Sequence, residues 1–161
     1  MWNAPYPNPL LAGRSWHVSQ PLRRWALQAA VDPLIGEHDF SSFCRKAKAP
    51  EGEDERSNVR RVLDARWTEP GEHLLRFDIS AMAFCHQMVR SIVGTIVGVG
   101  TGRLSAGDMR SILLACDRSA AGVVAPAHGL VLWHVDYPDP QPFSGSAGGT
   151  LSWDGDAATV G

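Results

Sequence analysis

The sequence lacks several features that would place it quickly in a class of protein. It has three cysteines, and none of them stands in a CxxC pair, so neither a zinc site nor a disulfide framework is indicated and reduced thiols are expected. No apolar run approaches the roughly 18 residues that a membrane-spanning helix needs. No charged region followed by an apolar run marks a secretory signal. We therefore expect a cytoplasmic protein without a membrane partner.

An excess of basic residues is also missing. The 161 residues include 15 basic and 17 acidic side chains, which gives a formal net charge of −2. A surface for nucleic acid must therefore be a local patch. A solvated protein surface explains the one visible group of basic residues equally well, and nearby acidic residues dilute its charge. This group, called the basic cluster below, consists of Arg45, Lys46, Lys48, Arg60 and Arg61.

Apolar residues recur at helical and at strand spacing, which predicts a chain with both helices and strands. Two of the strands flank a short turn at residues 69–72 and should form a hairpin. The last strand is apolar on both faces, so we expect it in the centre of the sheet. The predicted helices are 21–35, 84–99 and 105–116, and the predicted strands are 59–68, 74–80 and 130–135.

The two ends of the chain lack the periodicity of packed elements. Residues 1–20 are rich in proline and are predicted to be an extended lead-in from a missing upstream half. Residues 21–138 are predicted to form the domain, with a charged surface loop at 44–57. Residues 139–161 are mainly small and polar, and we expect a disordered tail.

Arg90 is the residue whose position most needs a chemical explanation. It lies at the border of the apolar arc of helix 84–99, where an unpaired guanidinium would be costly. No carboxylate stands three or four residues away, so a partner must come from elsewhere. The alternative is an arginine that extends its head into water. Gly94 and Gly98 lie off the same arc, where another element could approach closely.

Other candidate sites are weak. His38 and Asp39 are adjacent, but a metal site needs two or three more ligands and none stands at a suitable spacing. Asp39 is explained as well by hydrogen bonds to backbone amides of its own loop. Glycine-rich phosphate loops and a serine nucleophile motif are absent from the sequence. We therefore expect neither a metal nor a cofactor.

Three segments in order resemble the TruA-type tRNA pseudouridine synthases. Residues 36–43 resemble their GxHDFxxF segment, residues 84–94 their FLxxMVRxIVG helix, and residues 125–132 their APAxGLxL segment. Residues 135–138 match the usual end of the family. The resemblance implies an α+β fold that is half of the pseudouridine synthase core, with a mixed, mainly antiparallel sheet and helices packed on one face.

The resemblance also implies a reaction. Family members isomerise uridine to pseudouridine in the anticodon stem-loop of tRNA, at tRNA positions 38 to 40. They break the bond between ribose C1′ and base N1 and rejoin the uracil through C5, without a metal or cofactor. The target base must leave the stack to be reached. The implied partners are tRNA and a second copy of the chain.

Roles for individual residues follow from the same resemblance. The essential group of the family is an aspartate in a GRTDxGVH motif, and the arginine of MVR pairs with it, which is the role implied for Arg90. Leu130 is expected to line the uracil pocket, and Met88 is expected to contact substrate with it. His38 and the basic cluster are expected to contact RNA.

The sequence departs from the family pattern at the aspartate. GRTDxGVH is absent, Asp39 belongs to the HDF segment, and Cys85 stands where leucine is usual. We therefore expect this chain alone to be inactive. Two alternatives stay open, a non-catalytic RNA-binding or dimerisation module and a fragment without a function of its own. The DNA upstream of the first codon would discriminate between them.

Overall fold

The computed structural model describes residues 1–45 and 57–137. The chain divides into a compact unit, residues 1–131, and a second segment, of which residues 132–137 are described. The predicted tail at 139–161 lies outside the described residues, as does most of the predicted loop at 44–57, with Lys46 and Lys48. The elements are strands β1 (Gly36–Asp39), β2 (Val59–Gly71) and β3 (Leu74–Ala81), and helices α1 (Arg24–Ala29), α2 (Met88–Gly100) and α3 (Asp108–Ala115).

The strands form an antiparallel sheet in the order β1-β2-β3. The predicted hairpin is confirmed, but its turn comes later than residues 69–72, because Gly71 pairs with Leu74. A register shift between Thr68 and Gly71 allows β2 to continue past Pro70, which has no N–H for a regular ladder. Strand β1 was not predicted, since four residues are too few to show an alternating pattern.

Helices cover one face of the sheet, which confirms the α+β class. Val62 of β2 and Leu75 of β3 are almost completely buried in the same apolar cluster as Ile92 of α2. Arg66 and Arg76 lie on the opposite, exposed face. Arg76 follows Leu75 directly, and on β2 the register shift between Val62 and Asp64 changes the alternation, so that Ala65 is buried and Arg66 is exposed. Each pairs there with an aspartate on its own strand, at 2.7 Å and 2.9 Å respectively.

The predicted helix 21–35 is broken into α1 and a 3-10 turn at Asp32–Leu34. Pro33 lies in that turn, where its ring and missing N–H prevent the α-helix from continuing. Leu27 and Leu34 are fully buried as predicted, but Trp25 is 68% exposed. Trp25 lies about 200° around the helix from Leu27, on the side away from the core.

Helix α2 begins at Met88 rather than at the predicted position 84. Gln87 has a φ of 66°, a left-handed conformation that a right-handed helix cannot include. The residues before it are held by another segment: Cys85 forms a disulfide with Cys44, and Arg45 N–H donates to His86 O at 2.9 Å.

The disulfide corrects the prediction of reduced thiols for two of the three cysteines. The Cα atoms of Cys44 and Cys85 are 5.7 Å apart, within the usual range for a disulfide. The two residues are 41 positions apart in sequence, so their spacing carried no signal of pairing. Cys116 is free and exposed.

The predicted central strand at 130–135 is wrong. Residues Leu130 to Tyr137 belong to no strand, and β2 occupies the centre of the sheet. A strand exists only with a hydrogen-bonding neighbour, and none of the three described strands pairs with this segment. The apolar pattern indicated that these residues favour a strand, but it carried no information on which strand they would pair with.

The lead-in at residues 1–20 packs against the sheet. Trp2 forms bridges with His17 on one side and Leu74 on the other, which extends the sheet beyond the start of β3. The side chain of Asn3 is buried, and its Nδ2 donates to Val18 O at 2.8 Å. The segment is therefore ordered by its contacts, while its origin from an upstream half stays a prediction.

Among the described residues, no helix is both long enough and apolar enough to span a bilayer.

Candidate functional site

Arg90 lies in the first turn of α2, half-buried, and is held by residue 125 at two points. Its Nε donates to Ala125 O at 2.7 Å, and Ala125 N–H donates to the main-chain carbonyl of Arg90 at 3.0 Å. Within residues 1–45 and 57–137 the two Nη groups make no hydrogen bond or ion pair. The guanidinium is thus fixed at Nε and keeps its two Nη groups, which can bind a carboxylate through two parallel hydrogen bonds.

Gly94 lies one turn further along α2, where another segment crosses the helix. A Cβ at Gly94 would overlap the backbone carbonyl of Val123. At Gly98 an added Cβ would meet only the side chain of Leu104, at 3.3 Å. The predicted close approach beside these glycines is therefore confirmed, and at Gly94 the approaching group is backbone.

The two residues expected to contact substrate differ in exposure. Leu130 is 50% exposed and lies on the segment that carries Ala125, the partner of Arg90. Its N–H donates to Ala127 O at 3.0 Å and closes a short 3-10 turn. Met88 is fully buried in the core, so its side chain offers no surface to a ligand in this structure. Met88 lies under the first turn of α2, beside Arg90 in sequence.

The basic cluster is not gathered into one patch within the described residues. Arg60 pairs across the sheet with His38, whereas Arg61 pairs with Glu37, and successive residues of a strand point to opposite faces. The Nη1 atom of Arg60 donates to Ser57 O and Val59 O, both at 2.7 Å. Arg45 lies apart from them, bonded through its backbone to the residues that precede α2.

Asp39 has a local structural role, as the alternative reading predicted. Its Oδ1 accepts from the backbone N–H of Ser41 at 2.8 Å and from the hydroxyl of Ser41 at 2.6 Å. These hydrogen bonds lower the pKa of the Asp39 carboxyl, chiefly through the Ser41 hydroxyl. Asp39 therefore stabilises the turn that follows β1.

The remaining residues of the HDFxxF segment anchor that turn. Phe40 and Phe43 are fully buried, and their ring centroids lie 6.2 Å apart. Ser42 is buried too, and its hydroxyl donates to Ile112 O of α3 at 2.6 Å. The apolar positions of this motif serve packing. His38 is its first residue, and Arg45 follows two positions after its last.

Sequence reasoning missed the partner of Arg90 Nε. The two residues are 35 positions apart, and the acceptor is a backbone carbonyl, which no side-chain pattern reveals. The signal available was indirect. Gly94 indicated the face of α2 that another segment could approach closely. The proline at 126 favours an extended conformation at residue 125.

Comparison with known proteins assigns the family. Residues 30–138 match the family model described as tRNA pseudouridine synthase. The chain is 43% identical over 144 residues to the tRNA pseudouridine synthase A of Beijerinckia indica, covering 83% of this chain and 52% of that protein. It is 39% identical over 132 residues to the protein of the same name from Bacillus subtilis, covering 82% and 51% respectively.

A third relative gives the same picture. The tRNA pseudouridine synthase A of Bacillus licheniformis is 42% identical over 123 residues, which is 76% of this chain and 47% of the relative. The chain spans about half the length of the curated relatives it matches. With a family model that matches most of its domain and relatives of this identity, the chain belongs to the TruA-type tRNA pseudouridine synthases.

Proposed function

We propose that this chain supplies the arginine and leucine side of the uridine pocket in a tRNA pseudouridine synthase. The proposed enzyme isomerises uridine to pseudouridine in the anticodon stem-loop, at tRNA positions 38 to 40. The observation that carries the proposal is the arrangement at Arg90. Its Nε donates to the backbone carbonyl of Ala125 at 2.7 Å, and its Nη groups are left for a carboxylate.

The chemistry assigned to Arg90 is electrostatic. A guanidinium within hydrogen-bonding reach stabilises the charged form of a carboxylate and lowers its pKa by about 1–3 units. A paired aspartate therefore stays ionised and ready to act when the bond between C1′ and N1 breaks. Leu130 supplies an apolar contact for the uracil ring, and its half-exposed side chain is available for it.

The chain alone is proposed to be inactive. The GRTDxGVH motif that holds the aspartate in this family does not occur in the sequence. Asp39 does not substitute for it, because its carboxylate is bonded to Ser41. Arg90 without its aspartate can orient the pocket but has no group that attacks the nucleoside.

Binding of tRNA is assigned to His38 and to the basic cluster of Arg45, Lys46, Lys48, Arg60 and Arg61. His38 and Arg60 lie opposite each other on β1 and β2, which supports a shared contact with one stretch of phosphates. The whole enzyme is proposed to act as a cytoplasmic homodimer, as the resemblance implies.

A chimera tests the proposed function. Residues 1–138 of this chain replace the matched region of the Bacillus subtilis relative, and pseudouridine is measured in an anticodon stem-loop RNA. We expect turnover from the chimera and none from the 161-residue chain alone. Arg90→Ala should lower turnover by about 100-fold or more, because it removes a charge that acts at the reaction centre.

Arg103→Ala is the matched control. Arg103 is an exposed arginine just beyond the end of α2, and its Nε donates to the Thr101 hydroxyl at 3.3 Å. Its loss should leave turnover unchanged. A folded chimera without activity, or an Arg90→Ala chimera as active as the parent, would show the assignment to be wrong.

A further inference from the structure

Residues 118–125 lie against α2, with both ends bound to its first turn and the middle bound one turn further along. We call them the 118–125 segment. Besides the bond from Arg90 Nε to Ala125 O, three hydrogen bonds join the segment to the helix, and they come from its start, its middle and its end. They are Arg118 Nη2 to Ser91 Oγ at 3.3 Å, Gly122 N–H to Thr95 Oγ1 at 3.0 Å, and Ala125 N–H to Arg90 O at 3.0 Å.

The middle of this contact depends on Gly94 and Thr95. A side chain at Gly94 would overlap Val123 O, and a Cβ at Gly122 would lie 3.2 Å from the Cα of Thr95. Gly94 has an ordinary helical backbone, so space rather than a special conformation requires glycine there. Thr95 is fully buried, and its hydroxyl accepts from Gly122 while it donates to Ser91 O at 2.9 Å.

The end of the segment determines where Arg90 points. Ala125 is 5% exposed, and the proline that follows it favours an extended conformation at this residue. The Ala125 carbonyl accepts from Arg90 Nε, so the planar guanidinium has its orientation fixed before any ligand arrives. If the segment moved away from α2, the acceptor would move with it.

We propose that Gly94 and Thr95 are positioning residues for Arg90. Gly94 provides the space in which the 118–125 segment lies on α2, Thr95 bonds that segment at its middle, and Ala125 then holds the guanidinium. Neither residue touches substrate. The catalytic meaning of this arrangement rests on the proposed function, while the physical coupling from Gly94 to Arg90 does not.

The test observes the guanidinium directly in the full 161-residue chain. Two-dimensional NMR of ¹⁵N-labelled protein records the Nε–Hε signals of the arginines, and Arg90→Lys identifies the signal of Arg90 by its disappearance. The variants are Gly94→Ala and Thr95→Val, which remove the space and the hydroxyl respectively. Gly98→Ala on the same helix is the matched control, and Thr95→Ser restores the hydroxyl.

We expect a resolved Arg90 signal with slow exchange in the parent chain, in Gly98→Ala and in Thr95→Ser. In Gly94→Ala and Thr95→Val the signal should move toward that of a free arginine. Its exchange with water should become about tenfold faster or more, since the protecting bond from the charged guanidinium to Ala125 O is stronger than a neutral hydrogen bond.

Two results would overturn the proposal. One is a folded Gly94→Ala protein whose Arg90 signal and exchange rate match those of the parent, even if its melting temperature falls. The other is a Thr95→Ser signal as perturbed as that of Thr95→Val. If Gly94→Ala does not fold, the threonine pair decides alone. The NMR measurement requires neither RNA nor catalytic activity. An inactive chimera would therefore refute the proposed function without affecting the coupling of Gly94 and Thr95 to Arg90.

Discussion

The α2 region and the basic cluster are two parts of one candidate site, and the structure organises them differently. Arg90 is fixed by backbone groups of the 118–125 segment, with hydrogen bonds at 2.7 Å and 3.0 Å. Arg60 and Arg61 are neighbours in sequence, but their register on β2 sends them to opposite faces. Adjacent charges in a sequence therefore do not define a patch, whereas one awkwardly placed charge on a helix can mark a site.

The Cys44–Cys85 disulfide joins these two regions, and its loss should give the largest effect. The double variant Cys44→Ser, Cys85→Ser should lower the free energy of unfolding by about 2–4 kcal/mol, because the bridge closes a long loop in the unfolded chain. Chemical denaturation of the oxidised parent and of the variant measures the difference. Cys116→Ser, which alters an exposed free thiol, is the control and should change little.

Removing the space beside α2 should have the next largest effect. Gly94→Ala should destabilise the chain by about 1–3 kcal/mol, because the added methyl overlaps the backbone of Val123. Gly98→Ala should cost less, since the neighbouring atom belongs to a flexible leucine side chain that can turn away. Equal losses of stability in thermal unfolding would remove the distinction between the two glycines.

A salt titration of tRNA binding tests the basic cluster. Arg60→Ala should weaken binding and reduce the slope of log K against log salt concentration by about 1, the effect of one lost phosphate contact. Arg76→Ala is the control, because Arg76 lies on the other face of the sheet and pairs with Asp78 at 2.9 Å. A larger effect from Arg76 would place the RNA on the outer face of the hairpin.

The smallest expected effect concerns pH. The pKa of Asp39 is lowered from 3.8 by its bonds to Ser41, so its contribution to stability is present above pH 3.8 and is lost as the pH falls below that value. Asp39→Asn should therefore reduce the difference between the free energy of unfolding at neutral pH and that at acid pH. Ser41→Ala should act in the same direction, and an unchanged acid unfolding curve in both variants would contradict the assignment.

Sequence patterns predicted what depends on local periodicity. The hairpin, helix α2 and the close approach at Gly94 all follow from spacing along one element. The disulfide, the bond from Arg90 to Ala125 and the missing strand at 130–135 depend on segments that are distant in sequence. Arg90 was nevertheless singled out correctly as needing a partner, because the energetic cost of its position can be read locally.

The burial of Met88 shows a further limit. A family motif groups neighbouring residues, but adjacent positions on a helix point about 100° apart. Met88 therefore enters the core while Arg90, two positions later, reaches the surface. The resemblance drew attention to this helix, and the packing shows which of its side chains are buried in the core and which are exposed.

The disulfide also makes part of this chain a covalent ring. Residues between Cys44 and Cys85, which include both strands of the hairpin, are closed into one loop. A single proteolytic cut anywhere in that ring opens it but separates nothing. The nicked chain should keep its mass of 17.4 kDa, apart from one added water, and should yield two peptides only after reduction.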